Sequence, residues 1–452
     1  MNESDKFLKN SLLDTNNESS TIRREILDLV KKYTFSTHSK KPFSPGKSVV
    51  PVAGKVFDDV DLQMLVSSSL DFWLTTGRFN AKFEQSLGKK LNSKFVTTVN
   101  SGSSANLLAL SSLTSHKLGE KKISTGDEVI TLAAGFPTTV NPIVQNNLVP
   151  VFIDVEIPTY VPDYNIVEEA ISEKTKAIML THTLGNPFDA EKISNLAKKH
   201  NLWLIEDCCD ALGSQFNGKS VGTFGDLGTL SFYPAHHITM GEGGAVFTNN
   251  SELKRILESF RDWGRDCFCA PGQNDTCGKR FEWKIGNMPF GYDHKFIYSH
   301  VGYNFKITDM QASIGLAQLE HLENFTQTRK FNFSYLKNGL KKFHSDLILP
   351  EATPNSDPSW FGFPITIKEN SSFTKKDLID FLSAKLIDTR PLFAGNITKQ
   401  PYFENLKYRV HGSLNNTDLI MLNSLWIGVY PGLTTEMLDY VISSFEKFFK
   451  SI

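Results

Sequence analysis

KFVTTVN (residues 94–100) passes without a break into SGSSANLLALSSL (101–113). The first run is rich in valine and threonine, which suits a strand. The second opens on small residues and continues with leucines and alanines at helical spacing. The same exchange recurs downstream. DEVITLAA (127–134) is followed by FPTTVNPIVQ (136–145), and VPVFIDV (149–155) by DYNIVEEAISE (163–173). KAIMLTHT (176–183) precedes AEKISNLAKKH (190–200), and WLIEDCCD (203–210) precedes GDLGTLSFY (225–233) and GEGGAVFTN (241–249). Strands alternating with helices predict an α/β protein with a mostly parallel central sheet covered on both faces. Apolar runs such as AIML and LWLI fit buried parallel strands. The region from about Asn304 to Lys341, containing ITDMQASIGLAQLEHLENFTQTRK, predicts one long helix. We therefore expect a polar N-terminal extension (1–48), a large cofactor-binding domain (49–310) and a smaller C-terminal α+β domain (311–452).

The 452 residues are 40% hydrophobic and 21% charged, an ordinary globular composition long enough for two cores. A formal net charge of −1 gives no general attraction to nucleic acid or to an anionic membrane. The first stretch has no apolar run long enough for a signal peptide or membrane span, and only TIRREILDLVKKY (21–33) has helical spacing. A cytoplasmic protein is expected. All five cysteines lie between Cys208 and Cys277, and such clustering in a reducing compartment points to a metal or redox site rather than disulfides.

In open α/β sheets, ligands sit beyond the carboxyl ends of the strands. Three groups fall at such ends. NSGSSAN (100–106) leads from strand to helix, where small side chains let backbone N–H groups meet a phosphate, although a turn with serine caps reads the same way. Asp207, ending an apolar strand, suits a partner for a protonated pyridine nitrogen, although taken alone such a residue reads first as an N-cap or a surface acid. SFYPAHHITMGEGGA (231–245) places paired histidines before a glycine-rich turn.

Taken with GYNFKITDMQASIGLAQL (302–319), these segments resemble the DegT/DnrJ/EryC1/StrS nucleotide-sugar aminotransferase family from roughly Val50 onward. The resemblance implies an aspartate-aminotransferase-like architecture (PLP fold type I) and a homodimer with shared active sites. It implies that Gly102, Ser103 and Ser231 hold the cofactor phosphate. Asp207 would pair with the pyridine nitrogen, Asp210 would lie near the ring, Phe136 would stack on it, and Asn304 would reach the phosphate of the other subunit.

His236 stands where ordinary family members carry the lysine that forms a Schiff base with the cofactor. An imidazole cannot form that imine, so non-covalent pyridoxamine 5′-phosphate is expected. A histidine, with an unperturbed pKa of about 6.5, is a suitable base for the proton whose removal expels a hydroxyl β to a ketone. For a 4-keto hexose that group is the C3 hydroxyl, so dehydration is expected over transamination. Ser231 sets the register that makes His236, not His237, the base.

Cys209, Cys267, Cys269 and Cys277 form the pattern C-x57-C-x-C-x7-C. Four thiolates suit Zn²⁺ or a [2Fe–2S] cluster, and the spacing matches neither common ferredoxin pattern; unliganded cysteines are the third reading. Deoxygenation after elimination needs electrons, which redox-inert zinc cannot deliver, and Cys209 lies two residues after Asp207. The cluster is therefore preferred, with Cys208 left over. His236 and the cysteine pattern together resemble the CDP-4-dehydro-6-deoxyglucose 3-dehydrase subgroup. That implies a nucleotide-sugar substrate, an NADH-dependent flavin/iron–sulfur reductase as partner, and 3,6-dideoxyhexoses for lipopolysaccharide. A TDP-linked substrate and a cluster-free, glutamate-dependent aminotransferase or 3-dehydratase are the alternatives. Arg390, within DTRPLFAGNITKQPYF (388–403), can bind a diphosphate bidentately or form a surface ion pair. A non-catalytic sensor has no helix-turn-helix or basic region to support it.

Overall fold

The computed structural model describes residues 18–38 and 42–452. Eight strands form the main sheet. In chain order they are β1 (Phe95–Val99), β2 (Glu128–Leu132), β3 (Val149–Ile153), β4 (Thr175–Thr181), β5 (Trp203–Asp207), then, after the short β6 (Gln215–Phe216) and β7 (Lys219–Ser220), β8 (Leu227–Ser231) and β9 (Gly244–Thr248). The eighth comes from far down the chain. After β10 (Leu347–Ile348), β11 (Ser356–Asp357), β12 (Gly362–Ile367) and β13 (Arg390–Pro391), β14 (Arg409–Val410) pairs with β3; β15 (Ser424–Gly428) is the last strand. The sheet order is β1-β9-β8-β5-β4-β2-β3-β14. Only β9 runs against the others, lying antiparallel to both β1 and β8. A mostly parallel sheet is thus present, as the alternation of strand and helix requires.

Strand periodicity explains why both faces are dry. On β4, Ala177 and Met179 join the apolar cluster under helices Gly102–Ser112 and Ser251–Arg261. Ile178 and Leu180 point the other way, into the cluster with helix Ala190–Lys199. A second, antiparallel sheet, β10-β12-β15-β13, packs its aromatic and aliphatic residues against the C-terminal helix Thr435–Ser451.

The long helix spans Asp309–Leu340 and begins later than Asn304 because Thr308 and Gln311 form a reciprocal capping box. It contacts helices Asp59–Asp71 and Arg78–Leu91 near its start and Thr435–Ser451 later. TIRREILDLVKKY lies inside helix Glu18–Thr37. That helix is docked by buried Leu27, by Gln63 Nε2 donating to the Leu27 carbonyl, and by Arg23 paired with Asp71 at 2.6 Å. Residues 1–17 and 39–41 of the expected extension lie outside the described residues. Among the described residues, no helix is long and apolar enough to cross a membrane.

Candidate active site

The carboxyl ends of β5 and β8, the amino end of helix Gly102–Ser112 and the β13–β15 edge of the second sheet enclose a cavity of about 640 Å³. Gly102, Ser103, Phe136, Asp207, Cys209, Asp210, Ser231, His236 and Arg390 all line it. Residues separated by almost three hundred positions are thereby brought together.

The phosphate-side wall is built by local rules. Ser101 caps helix Gly102–Ser112, its Oγ accepting from the Ser104 N–H at 3.0 Å. Gly102 is required for close approach: a Cβ there would lie 2.4 Å from Ser231 Cβ. The helix start and the Ser231 hydroxyl therefore face the same space.

Asp207 ends β5 and is buried. Its Oδ2 accepts from Asn106 Nδ2 at 2.8 Å and from Thr139 Oγ1 at 2.6 Å. Oδ1 accepts from the Cys209 N–H at 3.1 Å. Asn106 is itself oriented, because its Oδ1 accepts from Thr229 Oγ1 at 2.6 Å. Glu206, on the opposite face of β5, is taken up by the N–H groups of Gly222, Phe224 and Gly225. Alternation on one strand thus separates a structural carboxylate from one facing the cavity.

His236 Nδ1 lies 3.5 Å from Asp210 Oδ1, without hydrogen-bond geometry, and has no hydrogen-bond partner among the described residues. Burial, followed by the nearby Arg329 charge, pushes the His236 pKa down to about 4. Burial and the Asp207 charge push Asp210 up to about 8. Both groups are held towards their neutral forms near pH 7. Arg329, fully buried in the long helix, donates to the carbonyls of Trp360 (3.1 Å), Phe361 (3.3 Å) and His236 (3.4 Å). His237 turns away from this cavity: its Nε2 donates to the Ser359 carbonyl at 2.7 Å.

Phe136 stands at the mouth, edge-on to Phe393 with ring centroids 5.8 Å apart, and half of its surface is open. Arg390 is also exposed there, 3.9 Å from Asp388. Asn304 is not among the cavity residues; it is exposed and bridged to Asp262. Asn106, Thr139 and Arg329 were not singled out by the sequence. Asn106 closes the NSGSSAN segment, but nothing local marks Thr139 or Arg329, which act through contacts 68 and 93 positions away.

The four cysteines lie in two places. Cys267, Cys269 and Cys277 share a small pocket with Asp275, Arg280, His294 and Lys295, whereas Cys209 lines the central cavity. The expected four-thiolate set is not assembled within one chain. The reason is the path of the chain: after helix Ser251–Arg261 it leaves the sheet on the β1 side and returns only at Phe305, whose carbonyl accepts from the Asn100 N–H. Cys208 is buried under the sheet.

Residues 58–446 match the DegT/DnrJ/EryC1/StrS aminotransferase family. The lipopolysaccharide biosynthesis protein RfbH of Salmonella typhimurium is 62% identical over 95% of this chain and 99% of its own. The dTDP-4-dehydro-2,6-dideoxy-D-glucose 3-dehydratase of Saccharopolyspora spinosa is 52% identical over 90% and 88%. Among solved structures, Escherichia coli GDP-4-keto-6-deoxy-D-mannose-3-dehydratase with bound hydrated PLP superposes with a TM-score of 0.79 at 31% identity, covering 87% of this chain and 98% of its own. The sheet order, the cavity at its carboxyl edge and these matches agree with the expected PLP fold type I architecture. The chain belongs to the DegT/DnrJ/EryC1/StrS aminotransferase family.

Proposed function

We propose that this protein removes the C3 hydroxyl of a nucleotide-linked 4-keto-6-deoxyhexose, using pyridoxamine 5′-phosphate held without a covalent bond. The observation that carries the reading is a histidine, with an unpartnered Nδ1, facing Asp207 and Asp210 across the cavity at the position ordinarily held by lysine.

The residues present fit the cofactor. Gly102, Ser103 and Ser231 form a cradle that a Cβ at residue 102 would fill, and they would hold the phosphate at a helix start. Asp207, fixed by Asn106 and Thr139, would hold the ring nitrogen. Phe136 would cover the ring face. When bound, this group supplies an amine for the sugar ketone and a pyridinium ring that takes up electrons.

The protein's share of the chemistry is proton handling. His236, kept neutral by burial, can accept a proton at a ring nitrogen. Charging that imidazole favours ionisation of Asp210, 3.5 Å from Nδ1, so a proton taken up by His236 is matched by one released from Asp210 and the pair stays neutral overall. Asp210 carries its own proton below about pH 8 and can pass it to a departing hydroxyl. Arg390 at the mouth would take the diphosphate.

The finer assignment is CDP-4-dehydro-6-deoxy-D-glucose as substrate, a homodimer, a [2Fe–2S] cluster on Cys209, Cys267, Cys269 and Cys277, and an external NADH-dependent reductase. The similarity to proteins named for lipopolysaccharide biosynthesis and for 3-dehydration supports the sugar chemistry. As arranged in one chain, the four thiols do not fit the cluster, and no step is assigned to it. A glutamate-dependent 3-dehydratase is the second reading, favoured by the likeness, 31% identical with a TM-score of 0.78, to a GDP-4-keto-6-deoxymannose-3-dehydratase solved with a trapped PLP-glutamate geminal diamine.

The deciding assay supplies pyridoxamine phosphate and CDP-4-keto-6-deoxyglucose and follows loss of the C3 oxygen. Turnover that requires a reductase and NADH, and not glutamate, supports the first reading. Turnover restored by glutamate alone selects the second. An amino sugar as product overturns both.

A further inference from the structure

We propose that the four-cysteine site is divided between two copies of this chain, Cys209 of one copy meeting Cys267, Cys269 and Cys277 of the other. The inference rests on the cluster reading and explains why one chain does not complete it.

The separation within the chain is set by the fold. Cys209 follows β5, which is the third strand in from β1. Three strand spacings are about 14 Å. The cysteine segment is anchored on the β1 side and cannot swing across freely. Lys117 pairs with Asp266, Arg255 lies 4.9 Å over the Phe268 ring, and Ser115 Oγ sits 2.7 Å from His300 Nε2. Bridges Arg265–Tyr298 and Asp262–Asn304 close its base.

Each half is built for the other. Cys209 lines a cavity that opens to the outside past Phe136 and Tyr233, both about half exposed. The three loop thiols share one pocket, which Arg280 and Lys295 also line. The surface around them is the kind that a protein covers: Phe281, Phe290, Tyr292, Phe296, Tyr298 and Val301 are exposed along a single excursion of the chain, Val301 at 93%. Four thiolates are the usual complement of a [2Fe–2S] cluster, and three plus one completes it. A second copy is the occupant that supplies the missing thiol. Two such contacts related by a two-fold axis would complete two sites at once.

Complementation between subunits tests this. One chain carries Cys209→Ser; the other, with a different tag, carries Cys267→Ser, Cys269→Ser and Cys277→Ser. Mixed dimers are isolated through both tags without oxygen, and iron, acid-labile sulfide and the EPR signal after dithionite are measured. We expect neither variant alone to hold a cluster. The mixed dimer should hold one, about two irons per pair of chains and half the wild-type content per chain. A mixed dimer without iron, beside an iron-loaded wild type, overturns the divided site and leaves the cluster reading intact; the exposed aromatics would then serve another partner such as the reductase. An iron-free wild type overturns both. A second measurement needs no metal. Mild oxidation of the iron-free protein should give a disulfide-linked dimer that Cys209→Ser abolishes, and cross-links confined to single chains would count against the proposal.

Discussion

His236 and Asp210 stand 3.5 Å apart, one shifted down to about 4 and the other up to about 8. The histidine predicts a measurable linkage. Its folded pKa lies below the unfolded value of about 6.5, so the unfolded chain binds the extra proton between those values. The stability from keeping it neutral is therefore complete above about pH 6.5 and falls as pH drops towards 4, by at most about 3 kcal/mol. Asp210, shifted up to about 8, works the other way over the same range and offsets this fall, so the histidine is read by difference: in thermal unfolding of the cofactor-free protein the wild type should lose stability relative to His236→Asn between pH 7 and pH 5. In turnover, the same substitution should lower dehydration by about 10²- to 10⁴-fold while pyridoxamine phosphate still binds. Equal turnover by the variant would remove His236 from the mechanism. Gly102→Ala brings a methyl within 2.4 Å of Ser231 Cβ, so cofactor affinity, read by spectral titration, should drop by more than tenfold with little loss of secondary structure.

At the scale of elements, the cavity depends on where a few helices start and strands stop. Ser101 caps the helix that faces the phosphate cradle, and Ser101→Ala should cost about 1 kcal/mol of stability in chemical unfolding. Asp207 is held by a side chain from that helix and another from helix Pro137–Gln145. Asn106→Ala and Thr139→Ala should therefore loosen the carboxylate without removing it, and their combined effect on cofactor affinity should be less than additive because both donate to Oδ2. Additive losses would mean that each acts elsewhere. The alternating strands and helices from Phe95 to Thr248 and the N-terminal helix were legible from periodicity. The start of the long helix was misplaced because NFKI carries no stop signal, whereas Thr308 and Gln311 act as a pair across one turn.

For the whole molecule, the sheet gathers β5, β8 and the second sheet's edge around one cavity, and leaves the cysteine segment outside it. Features that depend on neighbours along the chain were legible in the order of residues alone. Strand–helix alternation dictated a parallel sheet, and position 236 carries an imidazole, which cannot form an imine. Strand ends, which are local features, marked NSGSSAN, Asp207 and SFYPAHHITMGEGGA as candidate segments, and the family resemblance named Gly102, Ser103, Phe136, Asp210, Ser231, His236 and Arg390. Which distant groups meet depends instead on packing through space. Thr139 reaches Asp207 and Arg329 reaches the His236 carbonyl through packing that no local spacing encodes. The same packing sets Cys209 apart from Cys267, Cys269 and Cys277: residue spacing counts bonds along the chain, whereas a metal site depends on distance through space, and here three strands lie between.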